Sequence, residues 1–257
     1  MRIDVYLCDN GYARSRTEAK KLVSSGAVSV NGIKIAKASF DMPDNVSDIS
    51  VDRENFRYVS RGGYKLEAAL SEFSLSPKAK VCIDIGASSG GFTDCLLQNG
   101  AKHVIAVDSG TMQLVESLRN DRRVSVMENY NARYMSRVDL PYVPSFAVMD
   151  VSFISATYII PRVFDVLSQG ADFVCLIKPQ FEVGKSGIGK GGIVKSEKLR
   201  MEAIERVVEF SKNCGFEYIK RIVSPILGGD GNVEYLAHFK KPKETKGVFD
   251  EIHIDNT

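Results

Sequence analysis

The chain contains no tryptophan, three histidines and five cysteines in 257 residues. The histidines stand far apart, at 103, 238 and 253. A zinc centre or a histidine-based triad needs several ligands drawn together, so neither is expected, and no metal is expected elsewhere. Cysteines 8, 82, 95, 175 and 214 are scattered, odd in number and mostly inside apolar runs. That pattern suits reduced, buried thiols in a cytoplasmic protein. No apolar run is long enough to span a bilayer, and the opening MRIDVYLCDNG lacks a signal-peptide pattern. Neither charge sign dominates: 34 lysines and arginines face 32 acids, for a net charge of +2. Bulk charge therefore selects no partner.

What is present is ordinary globular composition, 44% hydrophobic and 26% charged, in a length that holds one α/β domain and a small module. The stretch from Val81 to Phe92, VCIDIGASSGGF, organises the chain. An apolar strand, a glycine turn and a helix start make the first unit of a nucleotide-binding α/β fold. Glycines are expected there because side chains would block backbone approach to a ligand and because such turns need unusual dihedrals. The next strand, His103–Val107, ends in Asp108, where a ribose-binding acid is expected. The dinucleotide spacing G-x-G-x-x-G fails, because position 88 is Ser. Asp84, Gly86 and Gly90 instead make D-x-G-x-x-x-G, which resembles the motif of S-adenosylmethionine methyltransferases. The candidate cofactor-binding residues are Asp84, Gly86, Ala87, Ser88, Ser89, Gly90, Gly91, Phe92 and Asp108, with Asn131 after the third strand.

Charge is unevenly placed along the N-terminus. Residues 1–40 hold seven basic residues against three acids, and residues 41–54 hold five acids against Arg53. A short helix over 2–10, a helix capped by Ser15 with Glu18 completing a capping box, and a hairpin turning at Asn31-Gly32 are expected. Residues 41–55 read as an acidic linker. The string SRTEAKKLVSSGAVSVNG resembles an S4 RNA-binding domain; the resemblance implies RNA contact through Arg2, Arg14, Arg16, Lys20 and Lys21.

Beyond the linker, Phe56–Val59 read as extended and Tyr64 to Phe73 as a helix. Further helices are expected near Met112–Arg119, over 152–167 with a kink at Pro161, and over Ser196–Cys214. Strands are expected at 124–128, before Asp150, at Phe173–Ile177, Tyr218–Val223 and Glu234–Phe239. Alternating βαβ units ending in two adjacent strands fit a mostly parallel sheet with an antiparallel strand at its end. Ligands in such sheets bind outside the carboxyl strand ends, where Asp150, Lys178 and an antiparallel Glu234 would meet. The loop Gly184 to Lys190 fits G-x-x-x-x-G-K, but Gly191 stands where Ser or Thr must hold magnesium, so it reads as a flexible basic lid.

The set Lys65, Asp150, Lys178 and Glu234 resembles the tetrad of FtsJ-like ribose 2′-O-methyltransferases. With SRGGYKL, MDVSFIS, IKPQFEVGK and GNVEYLAH in order behind the S4-like module, the chain resembles the TlyA (hemolysin A) family. That resemblance implies a Rossmann-like S-adenosylmethionine methyltransferase domain over 56–240 behind an S4-like domain and linker over 1–55; residues 241–257, outside the resemblance, read as a polar tail. It implies S-adenosylmethionine as cofactor and ribosomal RNA, or a ribosomal subunit, as partner, with cytidine of 23S and then 16S rRNA as the expected target. Lys178 is the candidate base. The alternatives are a non-catalytic RNA-binding assembly factor, a pore-forming hemolysin, and an NAD-dependent oxidoreductase; the glycine spacing disfavours the last.

Overall fold

The structure is a computed structural model of the whole chain; it describes residues 1–13, 15–24, 27–35, 37–43, 46, 48–52, 57–184, 187–228 and 231–243, the side chains of Lys21, Ser24 and Lys190 aside. The chain divides into two compact units, residues 1–57 and 58–257.

In the first unit, α1 (Ile3–Asp9) and α2 (Arg16–Ser24) pack beside a three-stranded antiparallel sheet. Ile3, Leu7, Ala19, Leu22, Val23, Val28 and Val30 form its core. Ser15 Oγ accepts from Glu18 N at 3.2 Å, the capping bond that its spacing predicts. β1 (Val28–Val30) and β2 (Ile33–Lys34) meet at Asn31 and Gly32, whose φ values of 50° and 78° suit a type I′ turn. The acidic stretch is not all linker. β3 (Ile49–Val51) pairs with β1, Ile49 opposite Val30, and completes the sheet in the order β2-β1-β3. Three residues are too few for alternation to register by themselves; the strand exists because β1 offers it an edge.

With Phe56 outside the described residues, the second unit opens in bends over 58–60 rather than in an extended segment. It then forms a three-layer fold around a seven-stranded sheet, ordered β6-β5-β4-β7-β8-β10-β9. β4 (Val81–Ile85), β5 (His103–Val107), β6 (Val124–Met127), β7 (Phe146–Met149) and β8 (Asp172–Ile177) run parallel, as expected. β10 (Tyr235–Lys240) runs antiparallel to both β8 and β9 (Glu217–Val223). All six residues of β8 are buried, alternate side chains entering opposite faces. Phe173, Cys175 and Ile177 pack toward α6 (Ile160–Val166) and α8 (Glu197–Asn213). Val174 and Leu176 pack toward α3 (Gly62–Glu72) and α4 (Gly91–Gln98). Such a continuous apolar strand is what a sheet covered on both sides requires.

Two expected helices are shorter. Residues 111–115 form bends, and only Glu116–Arg119 is helical (α5). There Glu128 accepts the backbone N–H groups of Met112, Gln113 and Leu114 and a guanidinium bond from Arg119. The Arg119 bond leads the contacts that hold its carboxyl low, at about 2. Pro161 does not kink a long helix; it sits in the first turn of α6, where its missing N–H costs nothing, after a separate 3-10 turn at Ala156–Tyr158.

The turn after β4 is shaped by packing within the protein. Gly86 has φ +84°, and a Cβ there would collide with the Asp150 carbonyl oxygen. Gly90 has φ +98°, and a Cβ there would strike the Leu118 side chain. Left-handed dihedrals and close protein neighbours, the Asp150 backbone at Gly86 and leucine side chains at Gly90, both call for glycine. Asp84 is fully buried within β4, and its Oδ2 accepts from Thr93 Oγ1 of α4 at 2.6 Å. Burial raises its pKa to about 7, against the opposing Thr93 hydrogen bond.

Two outcomes follow from this turn. Gly86→Ala should lower stability by about 1–2 kcal/mol for the left-handed backbone alone, with more from the collision, as read by thermal unfolding. For Asp84, the folded pKa lies above the unfolded one, so the native state holds the extra proton between about pH 4 and pH 7. Stability should fall as pH rises through that window, at up to about 1.4 kcal/mol per pH unit. Asp84→Asn should flatten this dependence in urea unfolding curves measured across it.

Candidate active site

At the carboxyl edge of the large sheet lies a cleft of about 260 Å³. Its walls include Ser60, Lys65, the turn residues Gly86 to Ser89, Asp150, Ser152 and Lys178. Asp150 follows β7 and Lys178 follows β8, and because those strands are parallel neighbours the two side chains meet. Lys178 Nζ stands 2.6 Å from Asp150 Oδ1 and donates to Ser152 Oγ at 2.7 Å. The antiparallel register sets Tyr235 opposite Ile177, which carries Glu234 to the same edge. Glu234 does not join Lys178 directly. Its Oε2 stands 2.6 Å from Lys65 Nζ, and its Oε1 accepts from Gln180 Nε2 at 3.3 Å. Lys65, on the first turn of α3, is thereby neutralised despite its place near a helix N-terminus.

The four expected catalytic residues thus form two ion pairs of different character. Lys65 and Glu234 are buried, at 8% and 3% exposure. Asp150 is half-buried and faces the cleft with Lys178. Short α7 (Pro179–Glu182) follows Lys178 directly. Glu182 fastens it: Oε2 accepts from Ser155 Oγ at 2.6 Å and Oε1 from Ala156 N at 2.8 Å. Burial raises the Glu182 pKa, against those bonds. The loops after β7 and β8 are therefore stitched together behind the cleft.

The expected cofactor-binding residues are not all alike. Gly86, Ala87, Ser88, Ser89, Gly91 and Phe92 line the cleft. Gly90 caps α4 in the left-handed region and faces leucines, and Asp84 is enclosed beneath the turn. Asp108 holds the turn itself: Oδ2 accepts from Ser88 N and Oδ1 from Gly110 N, each at 2.7 Å. A carboxylate oxygen has two lone pairs, so each retains acceptor capacity. Asn131 is exposed and caps a 3-10 turn, accepting from Arg133 N at 3.1 Å.

Among the basic residues of the first unit, Arg2 and Arg16 are not freely displayed. Both donate to fully buried Asp4, Arg2 Nε at 3.0 Å and Arg16 Nη2 at 3.0 Å. Burial pushes Asp4 up, but the guanidinium bonds of Arg16 and Arg2 outweigh it and hold the carboxyl below its usual value. Lys20 is exposed. Arg14 lies outside the described residues, and of Lys21 only the helical backbone is described. The expected basic lid is anchored at its far end. Buried Asn232 accepts from Val194 N and donates to Gly192 O, both at 3.0 Å. Ser152, Gln180, Glu182 and Asn232 were not singled out as site residues in the sequence; their one signal is proximity to Asp150, Lys178 and Glu234.

No group of three or more His, Cys, Asp or Glu among the described residues could hold a metal ion. No helix among them is long and apolar enough to cross a membrane.

Comparison with known proteins places this geometry. The FtsJ-like methyltransferase profile matches residues 58–241, and the S4 domain profile matches residues 1–42. Hemolysin A of Brachyspira hyodysenteriae is 45% identical over 93% of this chain and 99% of its own. The 16S/23S rRNA (cytidine-2′-O)-methyltransferase TlyA of Mycobacterium tuberculosis is 38% identical over 98% and 96%. A solved Streptococcus thermophilus protein, named as a candidate hemolysin, is 46% identical over 94% of this chain and 88% of that one, with a TM-score of 0.75. The chain therefore belongs to the FtsJ-like methyltransferase family, carries an S4 domain ahead of it, and is a methyltransferase whose family and fold imply S-adenosylmethionine as methyl donor.

Proposed function

We propose that this chain transfers a methyl group from S-adenosylmethionine to a ribose 2′-oxygen of ribosomal RNA, cytidine being the expected nucleoside in 23S and 16S rRNA. The observation that carries the reading is the Lys178–Asp150 pair at the cleft, 2.6 Å apart, with Ser152 beneath Nζ. The relative named for cytidine 2′-O-methylation matches nearly the whole chain, which supports the substrate.

The cleft suits the cofactor. Its floor is a turn that presents mostly backbone and small side chains, and acids stand at both sides, Asp150 in the wall and Asp108 behind Ser88. Residues Gly86 to Gly91 would hold it, with Asp108 on the ribose hydroxyls and Asn131 toward the base. Bound there, S-adenosylmethionine supplies an electrophilic methyl group.

The protein's own task is alignment and proton handling. A ribose hydroxyl is a poor nucleophile near neutral pH, so it needs orientation and a proton acceptor. Lys178 takes the 2′ proton on Nζ, and Asp150, 2.6 Å away, stabilises the ammonium that forms. Glu234 holds Lys65 in place.

Lys178→Ala should abolish methyl transfer into unmodified ribosomal subunits while leaving cofactor affinity intact by calorimetry. Lys178→Arg should not restore it, because guanidinium does not give up its proton near neutral pH. Tritium from labelled cofactor should appear at a phosphodiester made resistant to alkaline hydrolysis. Label on a base, or wild-type transfer by Lys178→Ala, would reject the mechanism.

RNA affinity is assigned to the first unit, through Lys20 and the Arg2–Arg16 pair that Asp4 orders. Reversing Arg16 would set an acid beside buried Asp4, so neutral variants are the cleaner test. Arg16→Gln with Lys20→Gln should reduce the slope of log affinity against log salt by about 1–2, since each phosphate contact contributes roughly 0.7–0.9. Cofactor affinity should not change. An unaltered salt slope would show that this surface does not meet RNA.

A further inference from the structure

The Lys65–Glu234 ion pair uses one carboxylate oxygen, Oε2. The other, Oε1, is enclosed as well. A Cβ at Gly228 would lie against it, and Gly228 N itself donates to Asn232 O at 2.9 Å. The side-chain donor that reaches Oε1 is the Gln180 amide, 3.3 Å away. Gln180 is 8% exposed, and its own Oε1 is buried without a hydrogen-bond partner among the described residues. The direction of the amide follows from Glu234. Turned end for end, the amide would set one acceptor against another, so Glu234 dictates its direction.

Position adds a second argument. Gln180 lies two residues beyond Lys178 on α7, and the far end of α7 is fixed through Glu182 to Ser155 and Ala156. One four-residue helix therefore carries the lysine of the open pair at its cap and the donor to the buried pair on its first turn. A cation at 180 would compete with Lys65 for Glu234, and an anion would repel it. A neutral donor satisfies Oε1 while leaving the carboxylate ionised and turned to Lys65.

We propose that Gln180 is a positioning residue of this site, holding Glu234 on Lys65 and coupling that buried pair to Lys178–Asp150. The proposal rests on the methyl-transfer reading above. It assigns Gln180 no contact with either substrate.

The test compares wild type, Gln180→Leu and Gln180→Glu on unmodified ribosomal subunits, with kcat, both KM values, cofactor Kd by calorimetry and the melting temperature. Gln180→Leu keeps bulk and loses the donor; kcat should fall about 10- to 100-fold, the loss of a hydrogen bond to a charged group. Cofactor Kd and both KM values should hold within about threefold, since the residue serves alignment and not binding. Gln180→Glu sets two carboxylates together, so one of them should bind a proton more readily. When protonated, Glu at 180 again donates to Glu234. Its rate relative to wild type should therefore climb as pH falls from about 8 to about 6. A purely structural role would give a relative rate that is flat with pH. If Gln180→Leu does not fold, the pH profile of Gln180→Glu decides by itself. A wild-type kcat in Gln180→Leu, or a flat relative profile in Gln180→Glu, overturns this proposal while wild-type transfer stands. A wild-type chain that methylates no ribose overturns both readings.

Discussion

A buried ammonium and carboxylate 2.6 Å apart tie the first helix of the large unit to its last strand. Lys65 and Glu234 are 169 residues apart in sequence, so the contact closes the domain from end to end. Burying two charges is costly, and removing one partner of such a pair commonly costs about 3–5 kcal/mol because the other charge is stranded. The pair therefore holds the first turn of α3 and the start of β10 in one relative position, because displacing either end strands a buried charge. Much of the site hangs on those two points. Ser60 and Arg61, just before α3, and Gly62, its first residue, line the cleft, and β10 is the strand whose direction brings an acid to an edge otherwise made of parallel strand ends.

The second constraint is space. The β4 turn and the β7 end approach so closely that Gly86 cannot carry a side chain without meeting the Asp150 carbonyl. The turn that offers its backbone to the cleft and the residue that offers its carboxylate are thus in direct backbone contact. Asp150 N also donates to Ile85 O at 2.9 Å. The β4 turn and Asp150 are therefore held as one backbone unit. Asp108, by holding Ser88 N and Gly110 N, extends the same rigid set to the neighbouring strand.

Periodicity reveals elements that bury a face of their own, which is why β4, β5, β7, β8 and α8 could be read from sequence. The Asn31-Gly32 hairpin was legible for a different reason: few residues tolerate two consecutive positive φ values. What escaped depends on partners. β3 has three residues and owes its existence to the free edge of β1. The bends at 111–115, where a helix was expected, are held by Glu128 from another strand end, a contact that the local pattern does not show. In the site, the charged residues at strand ends stood out because charge after an apolar run is conspicuous. Gln180 and Asn232 are neutral and buried, and nothing in the local pattern distinguishes them from loop residues. The glycines were legible as a motif, and their left-handed φ values are one of the two reasons expected for them; the packing of Asp150 and Leu118 against them could not be read from the sequence.

The difference in exposure between the two ion pairs bears on how the site could work. Asp150 and Lys178 meet at the cleft wall, with side chains 22% and 11% exposed; a proton taken up there has a path to water. Lys65 and Glu234 are more enclosed, at 10% and 3%, and Gln180 closes the remaining carboxylate oxygen. In low dielectric, a charge held in place changes its neighbours' behaviour without itself reacting. The buried pair is accordingly suited to set geometry and potential, and the open pair to exchange protons. Coupling between the two pairs then needs no direct contact between them. It needs a rigid connection, and α7, carrying Lys178 and Gln180 on one turn and anchored at Glu182, is built as one.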